Sequence, residues 1–506
     1  MFNIARKSID HPNSRLLLGL MIIMMDRIKE LQYYQRIRST DIFRTLIHSQ
    51  NYFLARIVTV GLAFISLPVF TRLFTQEDYG IVSVYNAYAG IVVILLTANI
   101  HASVGRYYFE KTTDFDEFLG TTLIFTCITF IVNTLVFLLF IDQFASLLNL
   151  PGLLPVLLIF SSLFSTFNLI YFQIIQAQQK SLEAAFVSIF SGGFSLGLAL
   201  LFVLLLEENR YLGQIWAYLI IGFGFSLYFL FRILSMTKFA FKKEHVRYII
   251  NFSVPLIPYY LSSTILAFFD RIMINNTVNP AAAGVYSLGY NIAMLLSIVI
   301  TATQTALMPD YYEFLNTKQF SRVDALIKKV FSLITLAALG LILFTDEIVK
   351  ILVDEKFHEG QVVVPIVVFG YIFYGMFTVY GRYIGYVKKT LYSSLVLILS
   401  GLSNIALNIV FIPLYGYIAA AYSTAISYFL LFLLAWIIAK FVLKQTLTPL
   451  WAVWKPTILL ICVLTVFPLI ATVITNFLLL FMIKIVLWVV YGIILYTREL
   501  KKLLST

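Results

Sequence analysis

Residues 391–439 read LYSSLVLILSGLSNIALNIVFIPLYGYIAAAYSTAISYFLLFLLAWIIA, without one Asp, Glu, Lys or Arg, and Pro413 and Gly416 break the run near its middle. The two apolar pieces, Leu391 to Phe411 and Gly416 to Ala439, each match the roughly 20 residues that a helix needs to cross the hydrocarbon of a bilayer. Neither alternates between polar and apolar with the ten-residue period of a transmembrane barrel strand. In lipid the backbone must bond internally, so the stretch reads as a helical hairpin that spans the membrane twice.

The pattern continues in both directions. Earlier spans are expected over Tyr52 to Phe74, Tyr79 to Ala102, Leu119 to Phe140, Leu153 to Ile175, Ala184 to Leu205, Leu212 to Leu234, Tyr248 to Ile274, Ala281 to Gln304, Val323 to Phe344 and Gln361 to Gly381. Val453 to Thr475 and Phe477 to Tyr496 follow, the turn between them being the tightest. The chain of 506 residues is 60% hydrophobic and 12% charged, with mean hydropathy +0.91, too much apolar surface for a water-soluble core. The fold class is all-α and polytopic, with about fourteen transmembrane helices.

Basic residues favour the cytoplasmic side of span ends. With the N-terminus cytoplasmic, only Arg72, Arg210, Arg271, Lys350 and Lys356 of the 36 Lys and Arg fall outside, and Arg56 and Lys484 lie within spans. Both termini are therefore expected in the cytoplasm. The net charge of +11 follows from this topology and implies no nucleic-acid partner. Cys127 and Cys462 occupy different spans without a Cys/His cluster, so neither a disulfide framework nor a metal site is expected. Leu16 to Met25 is apolar but too short to span. It reads as an interfacial segment, or as a sign that translation starts later, at Met24 or Met25.

An internal repeat is present. Phe70-Thr-Arg72, then Gly80-Ile-Val-Ser83 and Tyr85-Asn86, recurs as Phe269-Asp-Arg271, then Gly284-Val-Tyr-Ser287 and Tyr290-Asn291. Six spans separate the copies, an even number, so they share an orientation and predict two parallel six-helix lobes about an axis along the membrane normal. The expected units are a cytoplasmic N-terminal segment (1–50), an N-lobe (51–235), a cytoplasmic linker (236–247), a C-lobe (248–440), and a terminal hairpin with tail (441–506).

Three stretches carry a family likeness: Leu67-Pro-Val-Phe-Thr-Arg-Leu-Phe-Thr-Gln-Glu-Asp-Tyr-Gly80, Phe269-Asp-Arg-Ile-Met-Ile274 with Ala283-Gly-Val-Tyr286, and Leu407-Asn-Ile-Val-Phe-Ile-Pro-Leu-Tyr-Gly416 with Ala419-Ala-Ala421 and Ser423-Thr424. With them the chain, from Asn51 to about Tyr496, resembles the polysaccharide-exporting, Wzx-type branch of the multidrug/oligosaccharidyl-lipid/polysaccharide exporter superfamily. The resemblance implies a V-shaped pair of lobes around a central cavity. It also implies translocation of undecaprenyl-diphosphate-linked oligosaccharides to the periplasmic leaflet of the inner membrane, for O-antigen, capsule or exopolysaccharide. It points to a coupling ion, H+ or Na+, and to a polysaccharide polymerase and chain-length regulator as partners. The terminal hairpin would offer a groove for the lipid tail. The N-terminal extension departs from the family pattern.

Such a cargo is anionic and rich in hydrogen-bonding groups, so its path needs positive charge and polar side chains in a low-dielectric surround. Arg56, roughly 6 Å into span one by helical rise, is either a snorkelling side chain or a phosphate contact. Lys484, roughly 10 Å from either interface, is expected to face the bundle interior or lipid. Asn86, Asn168, Asn291, Asn404 and Asn408 are cavity candidates, with Asn99 and Gln173 as further polar groups. Interhelical bonding explains each equally well. Asn404 and Asn408 share a helix face at i, i+4. Asp270 and Arg271 do not, so each needs its own partner. With Arg72 they are candidates for gating or ion coupling. Pro68, Pro255 and Pro258 could kink spans one and seven as hinges, His101 could titrate, and Gly192, Gly193 and Gly197 suit close helix packing.

Two other readings compete. A membrane-embedded polysaccharide polymerase would be expected to gather catalytic side chains on a large loop. The longest outer connection, Thr345 to Gly360, carries Asp346, Glu347, Asp354, Glu355, His358 and Glu359 as solvated charge. No GxSxG, HExxH or P-loop occurs, so neither an enzyme nor a cofactor is expected. A cation-coupled drug exporter of the same superfamily should have an acidic cavity, whereas Asp270 is the only carboxylate well inside the spans.

Overall fold

The structure is a computed structural model that describes residues 64–110, 113–444, 450–474 and 476–495, with a few isolated positions outside these ranges. Among them every regular element is a helix. In chain order the α-helices are α1 (Phe64–Leu73), α2 (Gln76–Thr97), α3 (Ala102–Glu110), α4 (Phe115–Leu139), α5 (Ile141–Leu148), α6 (Leu154–Ala177), α7 (Ser181–Leu205), α8 (Tyr211–Leu234), α9 (Lys243–Ser253) and α10 (Ile257–Thr277). Then come α11 (Pro280–Ala293), α12 (Leu295–Asn316), α13 (Phe320–Leu343), α14 (Thr345–Leu352), α15 (Val363–Tyr386), α16 (Thr390–Tyr415), α17 (Tyr417–Ile437), α18 (Leu450–Val473) and α19 (Phe477–Leu495).

Twelve helical stretches are long and apolar enough to cross a bilayer, with α9–α10 and α11–α12 each forming one run. The first expected span appears as the short helix α1 and the thirteenth as α18. By that measure twelve runs qualify among the described residues, and the first and thirteenth expected spans include positions outside them. Many spans expose large apolar side chains, among them Leu139, Phe231 and Leu478, as lipid-facing helices do.

The repeat found in the sequence forms the seam of the molecule. Thr75 caps α2 through a capping box with Asp78, and Asn279 caps α11, which opens on Pro280. Both helices therefore start at a fixed place. Five residues in, each carries a glycine of the repeated motif, and α2 packs along α11 there. A Cβ on Gly80 would lie 1.8 Å from the Pro280 carbonyl oxygen, and one on Gly284 would lie 2.0 Å from that of Gln76. The contact is reciprocal, as a pseudo-two-fold axis between the copies requires.

The same end is strapped by the connection between α14 and α15. It is not a loop of solvated charge, as its composition suggests, but a helix followed by a 3₁₀ turn (Glu355–Val362) that buries Phe357 and Gly360. The Asp354 amide donates to Thr71 Oγ1 at 3.3 Å, Lys356 Nζ donates to the Arg72 carbonyl at 3.3 Å, and Gln76 donates to the Lys356 carbonyl. Phe357 stands edge-on to Tyr79, with ring centroids 5.6 Å apart.

At the opposite end a separate apolar cluster joins α3, α4, α6, α8 and, through Ile249, α9. The segment before α9 is tied to the α3–α4 corner by Lys238–Asp116 (2.6 Å), Lys242–Glu117 and His245–Asp114 (3.1 Å). Gly120 allows the Lys238 carbonyl to approach where a Cβ would lie 2.2 Å away.

Two local expectations change. Gly193 and Gly197 face open space, and Gly192 meets only Thr59 Cγ2, at 3.9 Å from a hypothetical Cβ. These glycines permit no close packing in this conformation. Pro255 lies in a 3₁₀ turn between α9 and α10, and Pro258 occupies the first turn of α10. Both lie at the junction of α9 and α10, where a missing N–H at the start of a helix costs least. Pro68 lies inside α1.

Candidate functional site

Behind the seam, α10 carries Asp270 and Arg271 into the protein, with 0% and 3% exposure. As adjacent helical residues they diverge, and each has its own partners. Asp270 Oδ2 accepts from Tyr286 and from Thr424 Oγ1, the latter at 2.9 Å. Arg271 donates to the Ala267 carbonyl at 2.8 Å and reaches Asn291 Oδ1 at 3.4 Å. Its guanidinium lies 4.3 Å from the centre of the Tyr290 ring and 5.2 Å from that of Phe268. Asn291 donates onward to Tyr79 on α2 at 3.1 Å. A polar chain therefore runs from Arg271 across the seam, beside the glycine contact. Tyr290 also meets the hydroxyls of Tyr371 (3.3 Å) and Tyr428 (3.5 Å), so α10, α11, α15 and α17 converge on one buried polar cluster.

The cluster is not fully satisfied. Asp270 Oδ1, Ser423 Oγ, Asn404 Nδ2 and Asn408 Oδ1 are all buried without a hydrogen-bond partner, although Asn408 donates to Asn404 Oδ1 at 3.1 Å. Buried polar atoms are rarely left so. α16 packs on α10, with Gly401 set against Ser262. Three crossings, α11–α12, α13 and α15, intervene between these helices, so they run parallel. Asp270 lies eight residues beyond Ser262 and Asn408 seven beyond Gly401, about 12 and 10 Å along their axes, at nearly the same depth. The Asp270 carboxylate with the Tyr286 and Thr424 hydroxyls is an oxygen-rich group able to hold a proton or a small hard cation, and Ser423 and the two amides lie on helices packed against α10. Among the described residues no three of His, Cys, Asp and Glu gather as around a transition metal.

The other candidates are dispersed. Arg56 lies outside the described residues. Asn86 and Asn168 are exposed, and Arg72 is exposed near the strap, donating to the Pro68 carbonyl at 3.4 Å. Asn99 is fully buried with neither side-chain polar atom bonded, and His101 is half-buried just beyond α2. Lys484 has 1% exposure and meets both oxygens of Glu347, at 2.8 and 2.9 Å, with Asp346 at 3.7 Å. Trp488 Nε1 donates to the Leu336 carbonyl at 3.0 Å. In this conformation Lys484 fastens α19 to the α13–α14 corner, and Glu347, read from sequence as solvated, is its counter-ion.

Sequence reasoning missed two features. The buried tyrosines were submerged among the chain's 31 Tyr, although Tyr286 and Tyr290, spaced i, i+4, signal one face. Arg382 was counted in a connection because the apolar run ends at Gly381, yet α15 continues to Tyr386. There Arg382 donates to Gln304 Oε1 and to the Gln304 carbonyl (3.2 Å) and lies 5.4 Å from the Tyr311 ring centre.

Comparison with known proteins places this arrangement. The model of a family described as "Polysaccharide biosynthesis protein" matches residues 50–313, and the MatE model matches 255–410. A protein of the Lsg locus of Haemophilus influenzae is 29% identical over 269 residues, covering 51% of this chain and 63% of the relative, a little under two thirds of its length. A Haloferax volcanii protein named "Probable low-salt glycan biosynthesis flippase Agl15" is 20% identical over 386 residues, covering 74% of this chain and 79% of its own. Among solved structures, "Lipid II flippase MurJ, inward closed conformation" superposes with a TM-score of 0.66 at 18% identity, over 89% of this chain and 99% of that one. The last likeness establishes the fold.

Proposed function

Because the chain belongs to the polysaccharide biosynthesis family and is a multi-pass membrane protein with a flippase-type fold, we propose that it carries undecaprenyl-diphosphate-linked oligosaccharide units from the cytoplasmic to the periplasmic leaflet. The polymer would be O-antigen, capsule or exopolysaccharide, made with a partner polymerase and chain-length regulator. Two six-helix lobes, meeting at the glycine seam, would rock about it so that their cleft opens to either side in turn. With both termini cytoplasmic, the strapped end is the periplasmic one, and this conformation is closed outward. The observation that carries the reading is the seam itself. At the strapped end the two repeat copies touch backbone to backbone through paired glycines and side-chain bonds, a contact that can be made and unmade.

The Asp270 set would hold the coupling ion, H+ or Na+, and the chain Arg271–Asn291–Tyr79 would relay its binding to the seam. A lone buried carboxylate is costly unless protonated or paired with a cation, so occupancy and seam closure would be linked. The MatE match over residues 255–410, which contains Asp270, supports a second reading as a cation-coupled multidrug exporter.

Liposomes holding the full chain and a fluorescent undecaprenyl-diphosphate oligosaccharide separate the two. The flippase reading expects label to become accessible in the opposite leaflet under an imposed H+ or Na+ gradient. It also expects Asp270→Asn to abolish the gradient dependence while expression and folding persist. Expulsion of cationic dyes with no movement of the lipid would establish the exporter instead.

A further inference from the structure

We propose that a recess between α12 and α15, built around Arg382, is a binding subsite for a phosphate or diphosphate group. The assignment rests on the flippase reading only for the identity of the cargo; the anion chemistry stands on the recess itself. Its volume is about 180 Å³, and its polar wall is Thr301, Gln304, Thr305, Tyr374, Thr378 and Arg382. That is too small for an oligosaccharide and ample for a diphosphate.

Arg382 is held before any ligand arrives. Thr378 Oγ1 donates to the Gly375 carbonyl at 2.6 Å and accepts from Gln304 Nε2, and Gln304 Oε1 accepts from Arg382 Nη2. Tyr311 flanks the guanidinium on another side. These contacts engage one terminal nitrogen. Nε and Nη1 have no hydrogen-bond acceptor among the described residues, and no carboxylate there forms an ion pair with Arg382. A half-buried guanidinium that is oriented, uncompensated and left with two free donor nitrogens matches the geometry with which arginine takes phosphate oxygens in pairs. The hydroxyls of Thr301 and Thr305 are turned to backbone carbonyls of their own helix. Their lone pairs remain to accept from sugar hydroxyls beside the anion. Arg271, by contrast, is buried behind the seam with its guanidinium over aromatic rings, and Lys484 is neutralised by Glu347.

The test uses the purified full chain in detergent with two probes, inorganic pyrophosphate and undecaprenyl diphosphate, read by ligand-induced shifts of thermal unfolding. Arg382→Gln should weaken binding of both by roughly ten- to a hundred-fold, and Arg382→Lys should restore part of it. In the wild-type chain, pyrophosphate should slow phenylglyoxal modification of Arg382 but not of exposed Arg322, a readout that needs no variant to fold. Equal binding by wild type and Arg382→Gln, no binding by wild type, or undiminished labelling of Arg382 would each overturn the subsite. If pyrophosphate binds and protects while lipid-linked oligosaccharide is never translocated, the subsite stands and the flippase reading falls.

Discussion

Replacing Gly80 by alanine tests the seam most directly. The new Cβ would sit 1.8 Å from the Pro280 carbonyl oxygen, 2.7 Å from its carbon and 3.0 Å from the Gly284 nitrogen. All three are backbone atoms of a capped helix, so no side chain can swing aside. Reaching ordinary contact requires α2 and α11 to part by about 1.5 Å, beyond the 0.5–1 Å gap that already forfeits a quarter to a half of dispersion attraction. Overpacking of this kind costs about 1–3 kcal/mol, which displaces an equilibrium between closed and open seams by roughly 5- to 150-fold. Cysteines placed at Thr71 and Asp354, in a background lacking Cys127 and Cys462, report the strap by cross-linking in membranes. Yield should fall several-fold with Gly80→Ala. Gly284→Ala should do the same, and the double variant should add little, because one substitution already parts the helices that the other would strain. Gly193→Ala is the control. Nothing lies within 4 Å of its added Cβ, and it should gain the ordinary helix propensity of about 0.5–1 kcal/mol. If Gly80→Ala cross-links as well as Gly193→Ala while both remain monodisperse, the seam is not a closed gate.

Lys484→Met should strand Glu347 in a half-closed site and lower stability by about 3 kcal/mol, whereas adding Glu347→Leu should recover most of it; thermal unfolding of the two variants decides. Asn408→Leu should remove an orphaned amide oxygen, weaken cation-induced stabilisation in a Na+ titration, and reduce the Na+ dependence of the Thr71/Asp354 cross-link. At the Asp114 carboxyl, burial pushes the pKa up, but hydrogen bonds from His245 and Tyr107 more than offset it and leave it below the usual 3.8. A carboxyl lowered by folding stabilises above its unfolded value and ceases to do so as pH falls through the folded one. Amide protection of the segment 236–247 should therefore hold at neutral pH and drop only below about pH 4, the ordinary aspartate range. Asp114→Asn should show reduced protection at neutral pH, with the difference from wild type closing below about pH 4.

How far the sequence discloses such a protein depends on which signals are periodic. Apolar length is one, and it located all twelve long apolar runs but not the short helices α3, α5 and α14, because a bilayer imposes the same requirement on each crossing. Recurrence is another. Aromatic-x-Arg with Gly-x-x-Ser pointed to the two places where the copies touch, since an approach that brings Gly80 against Pro280 tolerates no Cβ. Partnership is not periodic. Nothing in the string around Lys484 indicates that Glu347, 137 positions away, will neutralise it. Nor does Arg382, one residue past the apolar run, announce that its helix continues and turns it onto Gln304.

The same limit explains why the Asn404/Asn408 pair was visible as a face but not as part of a site. Its i, i+4 spacing is local, whereas its neighbourhood with Asp270 follows from Gly401 lying against Ser262 and from the parity of three intervening crossings. Parity is in the sequence once the spans are counted; the contact is not. A buried carboxylate with an unpartnered oxygen, faced at the same depth by amides with unpartnered atoms, is therefore a tertiary fact built on a topological one. Its polar neighbours lead to the seam through Tyr286, Tyr290 and Asn291, all on α11, the helix whose first turns carry Gly284. An ion that drew Asp270 and the asparagines together would act on α11 at one point and on the gate about two turns away. On the proposed coupling the glycines and the carboxylate would be parts of one device, and a Gly284→Ala chain should show altered cation affinity as well as an open strap.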